Sequence, residues 1–282
     1  MKKILAIYHK DCIDGATSAG VLLKKFPDAK LFPLGHSYTP EDMEPIFDAL
    51  DAETEIYTLD CGLGVTELLE KGYSVTTLDH HISEKESLTA LAKEHEEFTY
   101  VFDNEKSGAS LAWTYFFPEE AMPELIKYVE DIDLWLGKYG EESKFVGNYL
   151  FMFRNEPSRM LELVEGDIKK VLSTGRIIAM AMDREIEKQV TIPPVTLKIG
   201  EHKVLAYNIT IHESACGNIL SGEQNQAVAL FTIKGEDVKF SFRGKEGQSP
   251  SALDLATELG GGGHVCSAGA SIPLKTFLGM IV

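Results

Sequence analysis

The feature that most constrains this fold is a recurring unit, a short apolar run that ends on Asp or His and leads into a segment of helical spacing. KILAIY (3–8) runs into His9 and Asp11, and after Gly15 the stretch ATSAGVLLKKF places Ala19, Leu22, Leu23 and Phe26 at helical intervals. EIYTLD (55–60) precedes VTELLEKG, YSVTTLD (73–79) precedes SEKESLTALAKEHEE, and FTYVFD (98–103) precedes SGASLAWTYFF. Strands alternating with helices imply an α/β fold with a mostly parallel sheet flanked by helices. Ligands in such sheets bind at the carboxyl ends of the strands. Here those ends carry His9, Asp11, Asp60, Asp79, His80, His81 and Asp103, so polar groups suited to metal binding converge on one edge.

From Met122 to Gln189 the pattern is helical, and DIKKVLSTGRIIAMAMDREIEKQV reads as one long helix stopped by Pro193 and Pro194. Strand-like VTLKI, KVLAYNI, AVALFTI and VKFSFRG follow, then a helix in PSALDLATEL and the run GGGGH at 260–264. The expected organisation is a catalytic, metal-binding domain at 1–165, a linker helix at 166–192, and a smaller mixed α+β substrate-binding domain at 193–282.

Charge narrows the function. Lys plus Arg number 27 against 44 Asp plus Glu, a net charge of −17, which repels long duplex DNA. Small phosphate esters remain open to an acidic protein when metal ions supply local positive charge. The four cysteines form no CxxC pair, so neither a zinc ribbon nor a disulfide framework is signalled, and a cytoplasmic location is expected. The apolar run at the N-terminus is too short for a signal segment or a membrane span.

Two-metal phosphoryl hydrolysis needs two ions about 3.5–4 Å apart, a shared carboxylate and a water lowered in pKa. Oxygen ligands with a few imidazoles suit manganese or magnesium better than zinc. The chain offers HKDCIDG (9–15), LDCG (59–62), LDHH (78–81), SGA (107–109) and VEDID (129–133) in that order. This series resembles the DHH phosphoesterase superfamily, and GGGGHVCSAG resembles that superfamily's C-terminal substrate-binding domain; the nano-RNase and oligoribonuclease members are the nearest in kind.

The resemblance implies that His9 and Asp11 hold one ion, that Asp14, His80 and Asp131 hold the other, and that Asp60 bridges them. His81 would orient the site or contact the phosphate, and Asp79 would fix an imidazole's tautomer. The commonest version of the first motif separates its aspartates by one residue, whereas Cys12 and Ile13 separate Asp11 from Asp14. Either the loop bulges or Asp11 is not a ligand. Asp131 and Asp133 could each reach a metal, but residues two apart on a helix face differently, and Asp131 is chosen. The ions are expected to be Mn2+, with Mg2+ or Co2+ as substitutes.

For the substrate, Gly261, Gly262 and Gly263 leave backbone N–H groups open to wrap an anion, with His264 adding a donor. Arg243, at a strand end, is suited to grip a phosphate bidentately. Ser107 and Gly108 open a helix whose N–H groups favour an anion, while Ser107 also reads as an N-cap. Trp113, Tyr115, Phe116, Phe117 and Trp135 are assigned to the core, and His36, His95, His202 and His212 to turns or surface.

The expected activity is a manganese-dependent phosphodiesterase acting on short oligonucleotides or dinucleotides held between the domains. No membrane partner is expected, and a homodimer is compatible with the sequence. Two alternatives remain, a polyphosphate or pyrophosphate hydrolase using Lys239, Arg243 and Lys245, and a non-catalytic nucleotide-sensing module.

Overall fold

The first strand, β1 (Ile4–His9), explains the sheet around it. In the computed structural model, which describes residues 3–282, Ile4, Ala6 and Tyr8 enter one core while Leu5 and Ile7 enter another. Side chains alternate between the two faces of a strand. An apolar residue at every position therefore demands cover on both sides, as parallel sheets receive. The sheet adds β2 (Lys30–Leu34), β3 (Glu55–Leu59), β4 (Val75–Asp79) and β5 (Phe98–Phe102), all parallel, in the order β2-β1-β3-β4-β5.

Helix α1 (Ile13–Lys25) contributes Ala16, Ala19 and Leu22 to one face. On the other lie α2 (Pro40–Ala49), α3 (Val65–Glu70) and α4 (Ile82–Glu94), through Met43, Ile46, Leu68 and Leu88. The connections leaving β1 and β3 thus pass to opposite faces, and a crevice opens between these strands at their carboxyl ends. Strand β2 was not foreseen from the sequence. It is a sheet edge whose short apolar run, Leu31 to Leu34, contains Pro33, a residue that argues against a strand, and only Leu34 is buried.

The helices α5 (Gly108–Phe116), α6 (Glu124–Asp133), α7 (Glu141–Leu150) and α8 (Pro157–Val164) extend the α1 side of the core. The long α9 (Ile168–Gln189) belongs to both units into which the chain divides, one running to Ala179 and the other Met180–Val282. Val171 and Leu172 join the first core, and a Cβ at Gly175 would stand 2.0 Å from the Phe145 carbonyl oxygen. Ile186 packs with Tyr207 and Leu220 in the second unit.

That second unit holds β6 (Val195–Ile199), β7 (His202–Tyr207), α10 (Glu213–Gln224), β8 (Val228–Lys234), β9 (Asp237–Arg243), α11 (Ala252–Glu258), β10 (Gly262–His264), β11 (Ser267–Pro273) and α12 (Leu274–Met280). Its strands run β10-β11-β9-β8-β7-β6, antiparallel except for the β7–β8 pair. The expected α/β fold with a smaller mixed second domain is borne out. Among the described residues no helix is long and apolar enough to cross a membrane.

Trp113 and Phe116 are core residues, but Trp135 is 91% exposed. It follows the end of α6 in the left-handed region, at φ 53°, which carries it off the helix face that packs against α1, α5 and α7.

Candidate metal centre

At the carboxyl edge β1 ends on His9, β3 leads into Asp60, and β4 ends on Asp79 before His80 and His81. Asp60 adopts φ 59°, a left-handed conformation costing about 1–3 kcal/mol and characteristic of functional turns. The result is a tight polar cluster. His80 Nε2 lies 3.1 Å from Asp60 Oδ1, 3.4 Å from Asp133 Oδ2 and 3.8 Å from Asp14 Oδ2. His9 Nδ1 lies 3.4 Å from Asp60 Oδ2.

Asp14 is held by α5. The backbone N–H groups of Gly108 and Ala109 donate to its two carboxylate oxygens, the latter at 2.9 Å. The open helix N-terminus does bind an anion, but the anion is this side chain rather than a substrate phosphate. Ser107 is the N-cap, accepting from Ser110 N–H at 3.3 Å. Ser107 and Gly108, expected to touch substrate, instead set the position of Asp14.

The structure separates the two candidates on α6. Asp131 is 2% exposed, its Oδ1 accepting from Lys138 N–H at 2.6 Å and its Oδ2 from the Ser143 hydroxyl. It holds the turn between α6 and α7 and takes no part in the cluster. Asp133 does, because two helical positions differ by about 200° around the axis. The stripe Ile126, Val129, Asp133, at i, i+3 and i+7, was the signal in the sequence.

Asp11 also stands apart. It is exposed with φ 57°, and it exchanges hydrogen bonds with Asn155: its N–H donates to Oδ1 at 2.9 Å and its Oδ1 accepts from Nδ2 at 2.6 Å. Cys12, not anticipated as a contributor, offers its sulfur to the His9–Asp60 group, whose three donor atoms lie within 4.8 Å of one another. Asp60, His80 and His81 form a second such group, and Asp14, His80 and Asp133 a third. His36, read as a surface residue, is exposed yet sets its ring edge-on to His9 at 4.9 Å.

Electrostatics follow from burial and crowding. Burial, then the charges of Asp60 and Asp133, push Asp14 well above the usual carboxylate range. Burial and Asp60 likewise raise Asp133. Burial would raise Asp60 too, but the hydrogen bond to His80, the imidazole of His9 at 3.4 Å and the charge of His81 outweigh it and hold Asp60 below the ordinary range. His81 is pushed up to about 9, chiefly by its 2.7 Å bond from Nδ1 to Asp79 Oδ1.

Three carboxylates gathered around His80 repel one another, and both His9 Nδ1 and Asp60 Oδ2 are buried without a hydrogen-bond partner among the described residues. Buried polar atoms are rarely left so. A divalent cation would satisfy these atoms and cancel the repulsion, so the donor set fits metal ions.

An open cleft of about 410 Å3 adjoins the cluster, lined by His9, Asp14, Ile132, Asp133, Trp135 and Phe151 among others. A cleft of about 540 Å3 lined by Lys3, Ile4 and Phe26 sits at the amino ends of β1 and β3. Parallel sheets bind ligands at the opposite edge, so the smaller cleft is the candidate site.

In the second unit, GGGGH closes a helix and forms an exposed edge strand. Gly260 and Gly261 N–H groups donate to Thr257 and Ala256 carbonyls at 2.9 and 2.8 Å, closing α11, and residues 262–264 pair as β10 with β11. Gly261 and Gly263 serve close packing, since a Cβ on Gly261 would stand 2.1 Å from the Gly269 carbonyl oxygen, whereas Gly260 and Gly262 face open space. Arg243 donates to Phe242 O and Ser214 Oγ, both at 2.9 Å. Register places Arg243, Ser267 and His264 in one row across β9, β11 and β10.

Residues 203–281 match the family model of the DHHA1 domain. Among solved structures, the chain is similar over 97% of its length to 94% of PggH, a pGpG-specific phosphodiesterase from Vibrio cholerae, with 14% identity and a TM-score of 0.51. Over 99% of its length it is similar to 51% of RecJ in complex with Mn2+ from Thermus thermophilus, with 16% identity and a TM-score of 0.50. An uncharacterised protein of Acanthamoeba polyphaga mimivirus is 23% identical over 154 residues, 50% of this chain and 36% of that protein. The match thus spans about a third of that curated relative. At these identities the structural likeness establishes the fold. The DHHA1 match over residues 203–281 and the shared fold agree with the resemblance to the DHH superfamily drawn from the motifs.

Proposed function

We propose that this chain, with the DHH fold and a DHHA1 domain as premises, is a metal-dependent phosphoesterase that cleaves short oligonucleotides or dinucleotides. The observation that carries the reading is the gathering of Asp14, Asp60 and Asp133 around His80, with His9 Nδ1 and Asp60 Oδ2 buried and facing each other at 3.4 Å without a hydrogen bond. His9 and Asp60 would hold one divalent ion, and Asp14, His80 and Asp133 another, with Asp60 placed to serve both. Mn2+ is the proposed ion, given mostly oxygen donors with two imidazoles. Bound there, such ions neutralise charge on phosphoryl oxygens and lower the pKa of a water.

The chain's own residues do the rest. Gly108 and Ala109 N–H groups fix the Asp14 carboxylate, so its geometry is set before substrate arrives. His81, its Nδ1 bonded to Asp79 and the ring pushed up to about 9, carries a proton on Nε2 at neutral pH and would donate it to a phosphoryl oxygen. Trp135 and Phe151, exposed at the cleft, favour a substrate that bears bases over polyphosphate, since every base offers a face for stacking. The row of Arg243, Ser267 and His264 would offer donors to a phosphate bound on the second unit. A net charge of −17 disfavours long polyanions. Four free cysteines suit a reducing compartment such as the cytoplasm.

The test compares a linear dinucleotide, short RNA and tripolyphosphate as substrates in Mn2+. Turnover of the first two, abolished in Asp60→Ala, is expected. Faster release of phosphate from tripolyphosphate would overturn the substrate assignment, and full activity in Asp60→Ala would overturn the metal mechanism.

A further inference from the structure

The thiol of Cys12 stands at the head of α1, beside the metal cluster. Cys12 occupies the N-cap position of α1, where Ser, Thr, Asp or Asn is preferred, and its side chain makes no capping hydrogen bond. Instead the sulfur joins His9 and Asp60 in a group whose donor atoms lie within 4.8 Å of one another. Two members of that group carry buried atoms without a hydrogen-bond partner among the described residues, His9 Nδ1 and Asp60 Oδ2, and the Asp60 side chain is 1% exposed. The neighbouring carboxylate that could have completed this group, Asp11, is turned away onto Asn155. The group therefore has nitrogen, sulfur and oxygen donors. The Asp14–His80–Asp133 group has only oxygen and nitrogen.

We propose that Cys12 is a metal ligand, binding as thiolate the ion held by His9 and Asp60, so that the two ion positions differ in chemistry. The inference rests on the metal-site reading above. Binding forms one sulfur–metal bond and releases the thiol proton to solvent, as thiol ligation requires. A position with a thiolate selects softer or borderline ions such as Co2+, Zn2+ or Fe2+, while the all-oxygen-and-nitrogen position suits Mn2+ or Mg2+. The chain would then take up a mixed metal pair.

Titrating Co2+ into the metal-free full-length chain tests this by optical absorption, with bound metal counted by equilibrium dialysis. The expected result is a near-ultraviolet thiolate-to-cobalt charge-transfer band that saturates with one ion per chain. The band should vanish in Cys12→Ser and persist in Cys266→Ser. Cys12→Asp should also lose the band and shift the ratio of Mn2+ to Co2+ affinity by about tenfold or more toward Mn2+, the low end for losing even a group that merely orients a ligand. Far-ultraviolet circular dichroism of each variant checks that it folds. Two Co2+ bound without the band, or a band unchanged in Cys12→Ser, overturns the proposal and leaves the metal site standing. No Co2+ or Mn2+ bound at all overturns both.

Discussion

Gly108 lies so close beneath Asp60 that a Cβ added to it would stand 2.7 Å from the Asp60 Cβ, and 2.9 Å from Asp14 Oδ2. The glycine is what allows the N-terminus of α5 to reach two buried carboxylates at once. Gly108→Ala should therefore cost about 1–3 kcal/mol of stability through overpacking. It should also weaken Mn2+ binding about tenfold or more, since both ligands must shift. Denaturant unfolding and isothermal titration measure the two effects. Wild-type Mn2+ affinity would show that α5 can retreat without moving the cluster.

Asp131 and Asp133 should separate stability from metal binding. Asp131→Ala leaves Lys138 N–H and the Ser143 hydroxyl without their shared acceptor. A loss of about 1–3 kcal/mol is expected, with Mn2+ affinity changed less than about threefold. Asp133→Asn should do the reverse. It relieves repulsion with Asp60 and so stabilises the metal-free chain, while lowering Mn2+ affinity about tenfold or more. Urea midpoints with and without Mn2+ distinguish the variants, and equal metal affinity in the two would refute the division.

Removing metal should uncover the repulsion among Asp14, Asp60 and Asp133. Mn2+ at a hundred times its dissociation constant should stabilise the chain by about 2.7 kcal/mol per independent site. EDTA should reverse the gain and abolish hydrolysis together. A melting temperature indifferent to both Mn2+ and EDTA would count against a metal centre in these residues.

Trp135 offers a test of substrate class. Base stacking on an aromatic side chain contributes about 1–3 kcal/mol. Trp135→Ala should then raise KM for a linear dinucleotide roughly tenfold, leaving tripolyphosphate hydrolysis unchanged. Because Trp113 is buried at 4% exposure, fluorescence quenching by a bound dinucleotide should come from Trp135 and disappear in the variant.

The second unit should have an acid-sensitive helix. Asp254 accepts from Ser251 N–H at 2.9 Å and from its hydroxyl at 2.8 Å, and these bonds hold its carboxyl below the usual range. A depressed folded pKa contributes stability above the unfolded value, near 3.9, that is lost as pH falls through the folded one. The helix so capped, α11, ends in the N–H bonds of Gly260 and Gly261. Asp254→Asn should flatten the fall in denaturant midpoint between pH 5 and pH 3, and an unchanged slope would dismiss the capping contribution.

What the sequence determined by itself was whatever depends on local order. The continuous apolar run of β1, the helical spacing after Gly15 and the polar strand ends all come from residues near one another in the chain, so the parallel sheet and the positions of His9, Asp14, Asp60 and His80 were legible. Strand β2 was not, because Pro33 inside its short apolar run argues against a strand, and only the sheet edge accommodates it. The remaining assignments depended on partners that folding brings from afar. Asp11 meets Asn155, 144 residues away, and is withdrawn from the cluster. The N–H groups of Gly108 and Ala109 meet Asp14 across 94 and 95 residues and are no longer free for substrate. Asp131 meets Ser143, leaving Asp133 to face the cluster. Only tertiary structure could decide these, because a carboxylate or an N–H group serves whichever partner the fold delivers to it, and nothing in the residue itself names that partner.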